Sequence, residues 1–133
     1  MKKPALAVLV SGIWISFSEF LRNEILFKGF WLDRYAEIGM EFPSAMINNL
    51  VWGLWSFVFA GCVLMLSIRL KRIEAFAIAW VTGFALMWMT VGNLNVLPFG
   101  LLPYAVPLSA LEVYVALLID GRIAGGNTPG RKR

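Results

Sequence analysis

The sequence predicts an all-α membrane protein: a compact antiparallel bundle of four transmembrane helices, with a short interfacial helix between the first and second. Three observations lead there. Hydrophobic residues make up 59% of the 133 residues and charged ones only 15%, against about 25% charged in an ordinary soluble domain. The apolar residues gather into four runs, each close to the roughly 20 residues that a helix needs to cross the hydrocarbon core. Lys and Arg are distributed unevenly around those runs. Lipid is the natural solvent for so much apolar surface on so short a chain.

The spans are expected at about 4–22, 45–68, 75–97 and 101–119, in a single domain over 1–124. Lys2 and Lys3 followed by Ala5 to Phe17 have the layout of a signal peptide. The apolar stretch runs on through bulky Trp14, Ile15 and Phe17 without a small-x-small cleavage site, so it reads as a retained first helix. In the long connection that follows, Trp31, Leu32, Tyr35 and Ile38 recur at helical spacing opposite Asp33, Arg34, Glu37 and Glu41. That pattern suits a short helix in the outer interface, either capping the bundle or closing over a site, with Gly39 and Pro43 ending it.

Arg69, Lys71 and Arg72 separate the second and third spans, and Pro98-Phe99-Gly100 turns the third into the fourth. Pro103 falls in a first helical turn, where proline is tolerated, whereas Pro107 is expected to kink the last helix and to be able to turn Glu112 aside. The tail 125–133 is Gly-rich and basic, and is expected to be disordered and cytoplasmic.

Orientation follows from the cations. Lys2, Lys3, Arg69, Lys71, Arg72, Arg122, Arg131, Lys132 and Arg133 lie on one side, and Arg22, Lys28 and Arg34 on the other. Both termini are therefore expected in the cytoplasm of a bacterial-type inner membrane. The net charge of +4 is topogenic, with anionic lipid as an aid. Nucleic acid is not an expected partner. The lipid bilayer is, together with further copies of the chain or other membrane subunits.

Helices in lipid associate through small residues and interhelical hydrogen bonds. Each span carries such a stripe: Ala5, Val8, Gly12, Ser16, Glu19 and Asn23; then Asn49, Gly53, Ser56, Ala60, Val63 and Ser67. The third, weaker, has Ala75, Ala79, Gly83, Leu86, Thr90 and Asn93, and the fourth Ala105, Ser109, Glu112 and Ala116. If these faces meet, both intramembrane carboxylates point inward, and Leu, Phe, Val and most Trp face lipid. Glu112, Glu19, Ser109, Asn23, Asn49, Asn93 and Thr90 become the candidate polar site, a funnel at the outer end narrowing to Glu112.

Ionisable groups inside a membrane are costly and mark functional sites by default. With no Lys or Arg assigned to a hydrocarbon span, Glu112 is expected to sit without a counter-charge, which favours the neutral carboxyl. It then serves either as a hydrogen-bonded peg near Ser109 and Thr90 or as a proton-exchanging group. Glu19 is expected nearer the surface, paired with Arg22 along its own helix.

The chain has no His and a single cysteine, Cys62. That removes the commonest metal ligand and acid–base residue and any thiolate cluster. Met65, Met87 and Met89 read as packing rather than a copper site. No phosphate loop, nucleophile elbow or metalloprotease pattern occurs. The expectation is a protein without metal or cofactor and not an enzyme. It is first of all a membrane component, a homo-oligomeric bundle or an accessory subunit with Trp52, Trp55, Trp80 and Trp88 as anchors. The alternative is a small proton-coupled solute transporter or channel using Glu112.

Overall fold

The structure, a computed structural model, describes residues 3–125; residues 126–133 of the expected tail lie outside them. Among the described residues there are six α-helices and no strand: α1 (Pro4–Phe20), α2 (Lys28–Glu37), α3 (Met46–Ser67), α4 (Arg72–Trp80), α5 (Leu86–Asn93) and α6 (Leu102–Ile123). A π-helical segment, Leu21–Leu26, prolongs α1, and a second, Val81–Ala85, joins α4 to α5. The result is four rods long and apolar enough to span a bilayer: Pro4–Leu26, Met46–Ser67, Arg72–Asn93 and Phe99–Ile123. Their outward faces are largely apolar, with Ile13 and Phe17 of α1, Leu54 and Val58 of α3, Met89 of α5 and Leu111 of α6 all exposed. Such a surface fits a protein embedded in lipid.

α3 and α6 touch along the middle of the bundle. α1 packs against both, and α4 packs against both. Small residues make these approaches possible: Ala7, Gly12, Ala60, Ala75, Ala79, Ala105 and Ala116 are all buried. At the end of the bundle that holds the termini, Ala7, Leu64 and Ala124 pack together, so α1 and α6 run antiparallel.

The expected stripes hold fully on α6 and in part on the other three rods. All four residues of the α6 stripe are buried, and on α3 Ser56, Ala60, Val63 and Ser67 are buried while Asn49 is exposed. Pro107 leaves α6 unbroken and Glu112 inside. On α1 the inward face is Ala7, Ser11, Gly12, Ile15 and Glu19, and Ala5 faces out. On the third rod Ala75 and Ala79 are buried, but Leu86, Thr90 and Asn93 are exposed. The cause is the π turn at Val81–Ala85, whose i→i+5 bonding takes up an extra residue and rotates all that follows. Phe84 turns fully inward, with Met87 and Trp88 half-buried behind it.

Two helix ends are closed alike. After α2, the Met40 N–H donates to Tyr35 O at 2.9 Å and the Gly39 N–H to Ala36 O at 3.1 Å, with Gly39 at φ +70°. After α5, the Val96 N–H donates to Val91 O at 3.1 Å and the Asn95 N–H to Gly92 O at 3.0 Å, with Asn95 at φ +63°. These are Schellman closures, which need a left-handed residue. Gly39 ends α2 as its sequence position implies. Arg34 Nε then donates to Asn95 O at 3.0 Å, tying α2 to the connection before α6.

Candidate functional site

The polar centre of the bundle is built on the last turns of α1. Glu19 and Arg22 are three residues apart and share a face, and both are buried, at 6% and 4% exposure. The π segment begins between them; its i→i+5 bond from the Phe27 N–H to Arg22 O measures 3.0 Å. Arg22 reaches across to α6, where Nη1 donates to Glu112 Oε2 at 3.2 Å, while Nη2 pairs with Glu19 Oε1. Ser18 Oγ donates to the same Glu112 oxygen at 2.6 Å. Trp14 Nε1 donates to the Glu112 main-chain carbonyl at 3.0 Å, so the two helices are pinned at this level.

The network continues outward. Asn23 Nδ2 donates to Glu19 Oε2 at 2.9 Å, and Trp31 Nε1 of α2 donates to Asn23 Oδ1 at 3.1 Å. On its other side the Arg22 guanidinium lies 5.3 Å from the centre of the Phe84 ring, within the range of a cation–π attraction. Phe84 belongs to an aromatic stack with Phe59, Trp55 and Trp88, its ring centres 5.8 Å from Phe59 and from Trp88. Each of the two π turns thus supplies one member of the Arg22–Phe84 contact. Irregular turns of this kind concentrate at functional sites.

Two carboxylates share one guanidinium here. Glu112 Oε1 has no hydrogen-bond partner among the described residues. Burying charges at this density costs several kcal/mol per ion unless pairing offsets it, so an uneven cluster is a poor structural device. It is a natural place to hold or release a proton or a cation.

Glu19 and Arg22 line a vestibule of about 530 Å³ at the end of the bundle away from the termini, and Glu112 is linked to it through Arg22. Ser16, Glu19 and Arg22 lie at its base. Trp31 and Tyr35 of α2 form one wall with Phe42 and Glu24. Trp52 and Ser56 of α3 and Trp88 of α5 form the other. The volume falls within the roughly 300–1,000 Å³ typical of small-molecule sites.

Of the residues expected to form a polar site, Glu112, Glu19 and Asn23 come together, and Asn49 lines the vestibule. Ser109, Thr90 and Asn93 do not join them. Ser109 accepts a hydrogen bond from Trp80 Nε1 at 2.9 Å and donates to Val106 O, joining α6 to α4. Thr90 is exposed and donates to Leu86 O of its own helix, and Asn93 is exposed at the end of α5. The funnel is consequently more aromatic and less amidic than expected. Ser109→Ala is expected to leave the Trp80 N–H without its partner at a cost of about 1 kcal/mol, measurable as earlier thermal unfolding in detergent.

Two corrections concern charge. Glu112 is not without a counter-charge: Arg22, taken as an outer-loop cation, is its ion-pair partner. The Glu19–Arg22 pair forms as expected, but buried rather than at the surface. Of the nominated Trp anchors, Trp52 is exposed, and Trp55, Trp80 and Trp88 are half-buried against the core. Ser18 and Asp120 escaped the sequence reading. Asp120 lies one turn before Ala124, fully buried, with neither carboxylate oxygen partnered among the described residues. It stood just outside the expected last span, where a charged residue reads as a boundary.

No family model, curated protein or solved structure matches the chain.

Proposed function

We infer that the protein is a small membrane carrier, in which a solute enters the vestibule and the Glu19–Arg22–Glu112 cluster exchanges a proton against it. The observation that supports this reading above others is a buried cluster with one more acid than base, two of whose members, Glu19 and Arg22, line a solute-sized cavity while Glu112 is paired to Arg22 behind them. Intramembrane ionisable groups lining a cavity mark substrate and proton routes. Asp120, eight residues further along α6 and thus about 12 Å down the helix, supplies a second buried acid toward the opposite end. In this reading the charge bias places the termini in the cytoplasm, the vestibule opens outward, and α2 lies in the outer interface as one wall of the site.

The reading as a purely structural component draws less support, because three of the four Trp side chains that would anchor a partner already give part of their surface to the core. Reconstitution in liposomes loaded with a pH-sensitive dye tests the carrier. The probes are benzyltrimethylammonium, N-benzylacetamide and phenylacetate, one cationic, one neutral and one anionic. At least one is expected to drive proton movement with wild-type protein, and Glu112→Gln is expected to reduce that movement at least tenfold. Gln retains an oxygen to accept from Ser18 and Arg22, so folding should persist, as judged by elution volume and thermal unfolding. Equal proton movement in wild type, Glu112→Gln and empty liposomes would sink the reading.

A further inference from the structure

We propose that the vestibule is a binding site for a monovalent organic cation with a flat apolar body, its charge seated at Glu19 and its body between aromatic walls. This rests on the vestibule being the solute site. Three observations select this class of ligand.

The first is charge. Glu19 and Glu24 both line the cavity, with Arg22 as the cation among its lining residues. Arg22 Nη1 and Nη2 are already committed to Glu112 and Glu19. Lys28, behind the wall, is held by Glu24 at 2.6 Å. An anionic solute therefore meets carboxylates and occupied donors. A cation adds positive charge beside Glu19 and Glu24, the two carboxylates of the lining, alongside the donors Arg22, Asn23 and Lys28 that they already accept from.

The second is the surface. Six aromatic side chains, Phe20, Trp31, Tyr35, Phe42, Trp52 and Trp88, are among the lining residues. Their ring faces attract a cation lacking strong hydration, and quaternary ammonium groups are the usual beneficiaries. Phe42 already carries a cation on its ring, with Lys28 Nζ 5.8 Å from its centre. The third is size. Hard inorganic cations require six or more oxygen ligands close about them, whereas about 530 Å³ of largely aromatic cavity is an organic-molecule volume.

The test is calorimetric titration of the full chain in lipid nanodiscs with the same three probes. Benzyltrimethylammonium is expected to bind saturably and at least tenfold more tightly than N-benzylacetamide or phenylacetate. Glu19→Gln should weaken the cation at least tenfold and leave the neutral probe unchanged. Trp52→Ala, at an exposed position of the mouth, should weaken it severalfold. Where Glu19→Gln disturbs elution or thermal unfolding, Glu24→Gln takes its place, with a severalfold loss expected. If the neutral or anionic probe binds as tightly as the cation, or if the charge variants leave cation affinity unchanged, the cation assignment is overturned. The vestibule then remains a solute site and the carrier reading survives. Absence of saturable binding by all three probes, with no proton movement in liposomes, overturns both together.

Discussion

Arg22→Met is expected to cost about 3–5 kcal/mol of stability, the usual consequence of removing one partner from a buried ion pair. Its loss strands Glu19 and Glu112 in the same buried space, with Asn23 and Ser18 as their remaining side-chain donors. Adding Glu112→Gln should recover a large part of the loss, since one of the two stranded carboxylates then becomes a neutral amide. Arg22→Lys should recover little. A lysine carries its charge at a point and lacks the planar fork that lets one side chain reach Glu19 and Glu112 together while lying on the Phe84 ring. Thermal unfolding of the four proteins in one detergent decides the matter. An Arg22→Met protein that unfolds within a degree or two of wild type would show that the cluster contributes nothing to holding α1 on α6. A double variant no better than Arg22→Met would show that repulsion between the carboxylates is not what the guanidinium relieves.

What the sequence made legible is clearest on the last helix. α6 is an uninterrupted helix from Leu102 to Ile123, and its stripe of Ala105, Ser109, Glu112 and Ala116 is buried as its spacing implies. The stripe on the third rod is right through Ala79 and wrong from Leu86 onward, because a π turn intervenes. Nothing in Val81-Thr82-Gly83-Phe84-Ala85 announces such a turn, which accompanies the burial of Phe84. The same limit applies to Arg22. A cation at the edge of an apolar run reads as a topological marker. Only the π segment Leu21–Leu26, which carries the first rod four residues beyond Arg22, and the depth of Glu112 show that it lies inside. One signal was available. Arg22 follows Glu19 by one turn, and Glu19 lies on the expected inward face, so a partner three residues on belongs near that face too. Asp120 was lost to a boundary drawn one residue early, and helix boundaries are the least determinate feature of any such pattern.

The π turn at Val81–Ala85 also makes Gly83 a demanding position. A Cβ built there would come within 2.6 Å of Cε2 and Cζ of Phe59, well inside van der Waals contact. Phe59 has little room to yield: it is 8% exposed, its ring is stacked on Trp55 at 5.0 Å between centres, and it abuts Phe84 edge-on at 5.8 Å. Gly83→Ala should therefore destabilise by about 1–3 kcal/mol, the range for overpacking a filled core, even though alanine is the better helix former by about 1 kcal/mol. Gly12 provides the contrast. A Cβ there would overlap the ring of Phe57, which is only half-buried and can swing toward lipid, so Gly12→Ala should cost less than Gly83→Ala. At Gly61 a Cβ meets nothing within 4 Å, and Gly61→Ala should be neutral or stabilising by up to about 1 kcal/mol. Thermal unfolding in detergent should rank the three as Gly83, Gly12, Gly61 from most to least harmful. If Gly83→Ala proves as harmless as Gly61→Ala, the aromatic stack is looser than its geometry implies. The second readout is binding, because Phe84 carries the ring on which Arg22 rests. Pushing Phe59 against it should disturb the floor of the vestibule, so Gly83→Ala is expected to weaken benzyltrimethylammonium binding as well as stability, whereas Gly12→Ala is expected to affect stability alone.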